Sequence, residues 1–138
     1  MPLPKPEAGL VVRYNYLWRE DDRAGRINAK TRPACILLAM PDVAQIVLVP
    51  ITHTRPAKGT AAMEIPARVK AHLNLDGDRS WVILDECNID AWPSPDLSPI
   101  PGTRGRYAYG FVPPGFYEQI KRLFVKTAEA GRLGRISR

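Results

Sequence analysis

The sequence is poor in the residues that staple a fold or hold a metal. It has two cysteines, Cys35 and Cys87, and two histidines, His53 and His72, in 138 residues. Two cysteines are too few for a disulfide scaffold or a cysteine-ligated zinc site. With no spaced His/Cys cluster either, no metal is expected. No run approaches the roughly 18 apolar residues of a membrane span. The opening MPLPKPEAGL lacks the apolar stretch of a secretory signal, so the expected compartment is the reducing cytosol. The patterns GxxxxGK[ST], HExxH, GxSxG and CxxC are missing. Their absence sets aside phosphate-loop NTPases, zinc proteases, serine hydrolases and dithiol redox proteins. No repeats are present.

What is there is ordinary for a folded chain. Hydrophobic residues make up 45% and charged residues 25%, which excludes wholesale disorder, a collagen-like chain and a coiled coil. The length suits one domain with short tails. The net charge is +6 and unevenly spread. Residues 1–31 carry six Lys/Arg against four Asp/Glu, residues 32–98 six against eight, and residues 99–138 eight against two. A basic C-terminal excess points to an anionic partner, nucleic acid or an acidic protein segment. The plain alternative is a solubilising tail.

Residues 1–8 hold three prolines at alternate positions and read as an extended arm. Leu10, Val12, Tyr14 and Tyr16 alternate with Val11, Arg13 and Asn15, the period of a half-buried strand. Residues 19–31 are polar and read as a long exposed loop. Pro33–Met40 and Gln45–Thr52 are apolar runs on either side of a Pro41-Asp42 turn, a hairpin of two core strands. Ala62–Ile65 is a short strand, Pro66–Leu73 a short helical turn opened by proline, and Ser80–Glu86 a further buried strand. Residues 93–101 hold four prolines and read as an irregular loop, with a last strand between Arg104 and Phe111. Phe116, Ile120, Leu123, Phe124 and Ala128 share one helical face after Pro113-Pro114, and Gly131 ends that helix. The boundaries expected are an arm at 1–8, one domain at 9–130 and a mobile basic tail at 131–138. The fold class is mostly β with minor α, a small β-barrel with a helix packed on it.

A Cys–His nucleophile pair is one chemical option, but Cys35 lies inside an apolar run, where a thiol is buried and inert. The strand ends offer more. Arg32 precedes the first core strand, and Thr52 and His53 close the second. In a hairpin those ends meet. An arginine fork, a hydroxyl and an imidazole are the groups a phosphodiester needs: a bidentate donor, a further hydrogen bond and a proton carrier. The plain reading makes them a solvated strand-end cation, a β-branched strand end and a loop histidine.

The segments Thr31-Arg32-Pro33-Ala34-Cys35-Ile36-Leu37 and Val47-Leu48-Val49-Pro50-Ile51-Thr52 resemble the paired "RPxxVL" and "VVxPIT" strands of the MazF/PemK/Kid toxin family of bacterial toxin–antitoxin systems. Gly9-Leu10-Val11-Val12-Arg13-Tyr14 is similar to that family's opening. Ser80–Glu86 with Ile89-Asp90 resembles its later "SvvlxdQxxxID" segment. The likeness covers about residues 9–128.

The resemblance implies an SH3-like small barrel and a homodimer that cuts single-stranded RNA without metal or other cofactor, held in check by a cognate antitoxin. It implies attack by the RNA 2′-hydroxyl on its neighbouring phosphate, leaving a cyclic phosphate and a 5′-hydroxyl. Arg32 matches the family's catalytic arginine, a proton donor and stabiliser of phosphorane charge. Thr52 matches its catalytic Thr/Ser, and Asp85 an acid some members use. The chain lacks the Glu-Gln common before the family's Arg-Pro pair, so Glu20, Asp21 and Asp22 are candidate replacement acids and His53 a candidate proton carrier. Candidate RNA contacts are Arg13, Tyr14, Arg26, Lys30 and Arg55, with Tyr14, Tyr16, Trp18 and Trp92 as stacking candidates.

Two other readings stay open on sequence. One is a non-catalytic relative, either a nucleic-acid-binding module or a toxin aimed at a protein such as a DNA gyrase. The other is a plain SH3-like interaction domain.

Overall fold

The period-2 pattern near the N-terminus forms the strand it predicts, β1 (Leu10–Tyr16). In the computed structural model, which describes residues 3–25 and 30–138, β1 is followed by a one-turn helix α1 (Arg19–Arg23) and the long strand β2 (Lys30–Met40). A 3-10 turn at Pro41–Val43, closed by Ala44 in the left-handed region, passes the chain to β3 (Gln45–Thr52). Then come β4 (Ala62–Glu64), α2 (Ala67–His72), β5 (Trp81–Ile83), β6 (Glu86–Ala91), β7 (Ala108–Phe111), α3 (Pro114–Glu129) and β8 (Gly134–Ser137). The chain is mostly β with minor α. No helix among the described residues is long and apolar enough to cross a membrane.

The ladder runs β4-β5-β3-β2-β1-β7, with β6 also on β3 and β8 on β6. All pairings are antiparallel except β6–β8. The path ends on β4 and β7, so the sheet is open where a closed barrel was expected. One edge of β3 is shared: β6 pairs with Gln45–Leu48 and β5 with Ile51 and Thr52. Pro50, which has no N–H to give, falls in the gap between those two ladders.

Three segments differ from the sequence reading. Residues 19–23 form α1, with Glu20, Asp21 and Asp22 in the first turn, where they favour the positive end of the helix. The expected strand Ser80–Glu86 breaks after Ile83 into β5 and β6. The tail is not loose: it forms β8, with Ile136 buried. The Arg138 guanidinium donates to the Asn15 carbonyl at 2.7 Å and pairs with Asp96 at 3.3 Å. A four-residue parallel pairing, Glu86–Ile89 with Gly134–Ser137, joins segments far apart in the chain and leaves no periodic signal in the sequence. The last expected strand is shorter, Ala108–Phe111, because a turn over Ile100–Arg106 occupies its first half.

Apolar residues cover both faces of the central strands. Val11, Cys35, Leu37, Val47, Val49 and Ile51 pack under α2 and α3, against Val69, Leu73, Phe116, Ile120 and Phe124. Leu10, Val12, Tyr14, Ile36, Ile46 and Leu48 pack on the other side, against Trp18, Trp92 and Leu97. Two covered faces explain why β2 and β3 read as continuous apolar runs rather than alternation. On α3, Thr127 rather than Ala128 is buried. It satisfies its hydroxyl by donating to the Leu123 carbonyl at 2.8 Å.

Candidate active site

The hairpin brings the expected residues together. β2 and β3 pair as Cys35↔Val49 and Ala34↔Pro50. Two residues further along, Arg32 on β2 stands across from Thr52 on β3. Both line the same two grooves, about 470 and 530 Å³ in volume, and with Thr54 they form the divide between them. Both volumes fall in the range of ordinary ligand clefts, roughly 300–1,000 Å³.

Arg32 is the unusual group. Its guanidinium carbon lies 5.1 Å from the centre of the Trp18 ring. Its Nε is buried without a hydrogen-bond partner, and among the described residues no carboxylate pairs with it. Burial lowers its pKa from the ordinary arginine value, yet a guanidinium remains cationic in a protein. An unpaired, half-buried cation is costly, and the Trp18 face offsets about 1 kcal/mol of that. The remaining demand is for an anion. Trp18 is itself held edge-on by Tyr16, with ring centres 5.3 Å apart. Beside Arg32, the Thr52 hydroxyl oxygen accepts the Thr54 N–H at 3.1 Å, so its own hydrogen is left to donate.

The other expected residues divide between the grooves. Asp85 and Arg55 line the first, with Arg19, Glu20 and Asp21 of α1. His53, Arg13 and Lys30 line the second. There the His53 Nε2 lies 2.9 Å from Asp76 Oδ2, and Arg13 donates to the Tyr109 hydroxyl at 3.1 Å. His53, Asp76 and Asp78, all exposed, are close enough to share a cation. None of the eight cations of residues 99–138 lines either groove, so the basic excess seen in the sequence is not where the site is.

Some expectations are corrected. Tyr14 offers no RNA contact: it is fully buried and its hydroxyl donates to Asp90 at 2.7 Å. Burial first, and the Asp90 hydrogen bond second, push its phenol well up. Tyr16 is equally buried and donates to Glu86. Trp92 lies in a separate hollow with Pro6 and Met40. Of the four aromatics, Trp18 alone reaches the grooves. Asp22 lines neither groove. Arg26 lies outside the described residues. A Cys nucleophile is excluded, since burial pushes Cys35 up to about 12 and Cys87 to about 11, leaving almost no thiolate near neutral pH.

Sequence reasoning missed Glu86, Arg19 and Thr54. Glu86 lines the first groove, and its Oε1 accepts from the Arg19 N–H at 2.9 Å and the Tyr16 hydroxyl at 3.1 Å. The Arg19 guanidinium reaches the Asp85 carbonyl at 3.3 Å across Gly134. A Cβ at Gly134 would lie 2.5 Å from Arg19 Cδ, which explains the glycine. Nothing in the run SWVILDE separates Glu86 from any strand-end acid; only the contacts from β1 and α1 do.

Burial pushes the Glu86 carboxyl up, against the Arg19 and Tyr16 hydrogen bonds. The folded chain therefore keeps a proton that the unfolded chain has already lost. This group costs stability above its raised pKa, and the cost disappears as pH falls through that value to the unfolded range. Glu86→Gln is expected to melt higher than wild type at about pH 8, with the gap closing by about pH 4. Thermal melts across that range check it, and a pH-independent difference would contradict it.

A scan against models of known protein families finds no match for this chain, and a search of curated proteins finds none either.

Proposed function

We propose that the chain is a toxin-type endoribonuclease that cuts single-stranded RNA across the Arg32–Thr52 divide. The observation that carries this reading is the Arg32 guanidinium, unpaired among the described residues, stacked on Trp18 between two grooves and beside a free hydroxyl donor. A phosphodiester supplies the anion that this arrangement lacks. Arg32 stabilises the charge that develops on phosphorus oxygens, and Thr52 holds the same phosphate. His53, braced by Asp76, gives the proton to the departing 5′-oxygen. Arg13, Lys30 and Arg55 neutralise flanking phosphates. The resemblance to MazF/PemK/Kid toxins supports the same reading. It adds a homodimer, a cytoplasmic setting, a cognate antitoxin and chemistry that needs no metal.

The test is incubation of a long mixed-sequence single-stranded RNA with purified protein in EDTA, beside Arg32→Ala. Cuts that leave 5′-hydroxyl ends, lost in the variant, are expected. Folded wild-type protein that leaves the RNA whole with and without divalent cations would overturn the reading, in favour of a binding module or a protein-directed toxin.

A further inference from the structure

We propose, resting on the ribonuclease reading, that Glu86 is the base that takes the proton from the attacking 2′-hydroxyl, so that RNA lies with the nucleotide 5′ of the cut in the Trp18–Glu86 groove. In-line displacement at phosphorus puts the attacking and leaving oxygens on opposite sides. The structure has that layout. Arg32, Thr52 and Thr54 are shared by both grooves, Glu86 belongs to the first and His53 to the second. The proton on O2′ passes to the Glu86 carboxylate as the O2′–P bond forms. The P–O5′ bond breaks, and O5′ takes its proton from the His53 imidazolium. The products are a 2′,3′-cyclic phosphate and a 5′-hydroxyl.

Three observations favour Glu86 over the other acids of the groove. It is buried at 7% exposure and fixed from two elements, through the Tyr16 hydroxyl of β1 and the Arg19 N–H of α1. Both of those bonds fall on Oε1, and among the described residues no hydrogen bond falls on Oε2. Its Tyr16 partner is the ring that braces Trp18 under Arg32, which ties the base to the phosphate site through packed rings. Its charged and titratable neighbours are Tyr16 of β1, Arg19, Glu20 and Arg23 of α1, and Asp85 and Cys87 beside it in the chain; β8 faces it with Gly134. Burial raises its pKa, toward the range where a base works best.

Glu86→Gln separates chemistry from structure, because the amide oxygen can still accept both Oε1 bonds. Cleavage is read under single turnover between about pH 5 and 9, on the RNA cut by wild type and on the same RNA with a 5′-bridging sulfur at the cut. Binding is read with its 2′-O-methyl form. Glu86→Gln is expected to cut both RNAs at least about 100-fold more slowly and to lose the low-pH fall in rate expected of wild type. It should bind the 2′-O-methyl RNA as wild type does and melt no lower. His53→Ala is expected to be slow on the oxygen substrate and restored on the sulfur one, whose leaving group needs no proton. Wild-type rates in Glu86→Gln, rescue of Glu86→Gln by sulfur, or a parallel loss of binding would each overturn the assignment. Should Glu86→Gln fail to fold, Glu86→Asp takes its place: a slower rate that keeps the low-pH fall supports the base, and an unchanged rate overturns it. Wild-type protein that cuts neither RNA would instead fail the ribonuclease reading itself.

Discussion

Replacing Arg32 with Met is expected to abolish RNA cutting while leaving the fold as stable as before or more so. The two effects have one cause. The guanidinium is half-buried, its Nε has no partner among the described residues, and it lies against the Trp18 ring. Removing a single aimed donor from developing charge typically costs about 100- to 1,000-fold in rate, and loss of the cation on the phosphate adds to that. The thioether of Met still packs on Trp18 and no longer needs hydration. Exchanging a poorly paired buried charge for an apolar side chain is neutral or stabilising. With Arg32 only partly buried, a gain of up to about 1 kcal/mol is expected, or roughly 3 °C in Tm. Arg32→Lys should recover little activity, because an ammonium neither stacks on Trp18 nor presents a planar fork. Cleavage assays and thermal melts on the same preparations decide this. A variant that loses several degrees of Tm along with its activity would show that Arg32 serves the fold.

The largest loss of stability is expected at Asp90, away from the grooves. Its Oδ2 accepts the Tyr14 hydroxyl at 2.7 Å and the Ser94 hydroxyl at 2.6 Å, and its Oδ1 accepts the Ala91 N–H at 2.7 Å. Arg138 closes over this cluster, 5.7 Å from the Tyr14 ring centre and 3.0 Å from Asn88 Oδ1. Asp90→Ala leaves two buried hydroxyls without their acceptor, at about 1–3 kcal/mol each. A total near 3 kcal/mol, or roughly 10 °C in Tm, follows. Tyr14→Phe alone should cost about 1 kcal/mol. Placed on Asp90→Ala, the same change removes one orphaned hydroxyl and should cost nothing or restore stability. Urea unfolding of the four proteins of this cycle gives the coupling directly. Strictly additive losses would mean that the Tyr14–Asp90 bond contributes nothing beyond what each residue contributes separately.

Both residues show how far the sequence reaches. The hairpin was legible because β2 and β3 are long, apolar and joined by a turn with Pro41 and Asp42. Once they pair, Arg32 must meet Thr52. The strand β1 and the helix α3 were legible for the same reason, since each repeats its period several times over one element. Tyr14 was misread as an RNA contact because alternation gives the face but not what covers that face. The cover is Trp92, Leu97 and the Asp90 cluster, brought in from 75 or more positions away.

Taken alone, the sequence determined the mostly β class, the central hairpin and the convergence of Arg32 and Thr52 at its open end. These follow from local periodicity, turn chemistry and the arithmetic of antiparallel register. Tertiary structure decided the rest: the open sheet, the split of one apparent strand into β5 and β6, the return of the tail as β8 and the place of Glu86 beside the groove. Each depends on short segments meeting over long separations, where a few hydrogen bonds and buried contacts outweigh any local preference. The split strand, the returned tail and Glu86 converge on Asp85 and Glu86, where the Arg19 side chain passes over Gly134 and one wall of the first groove is built.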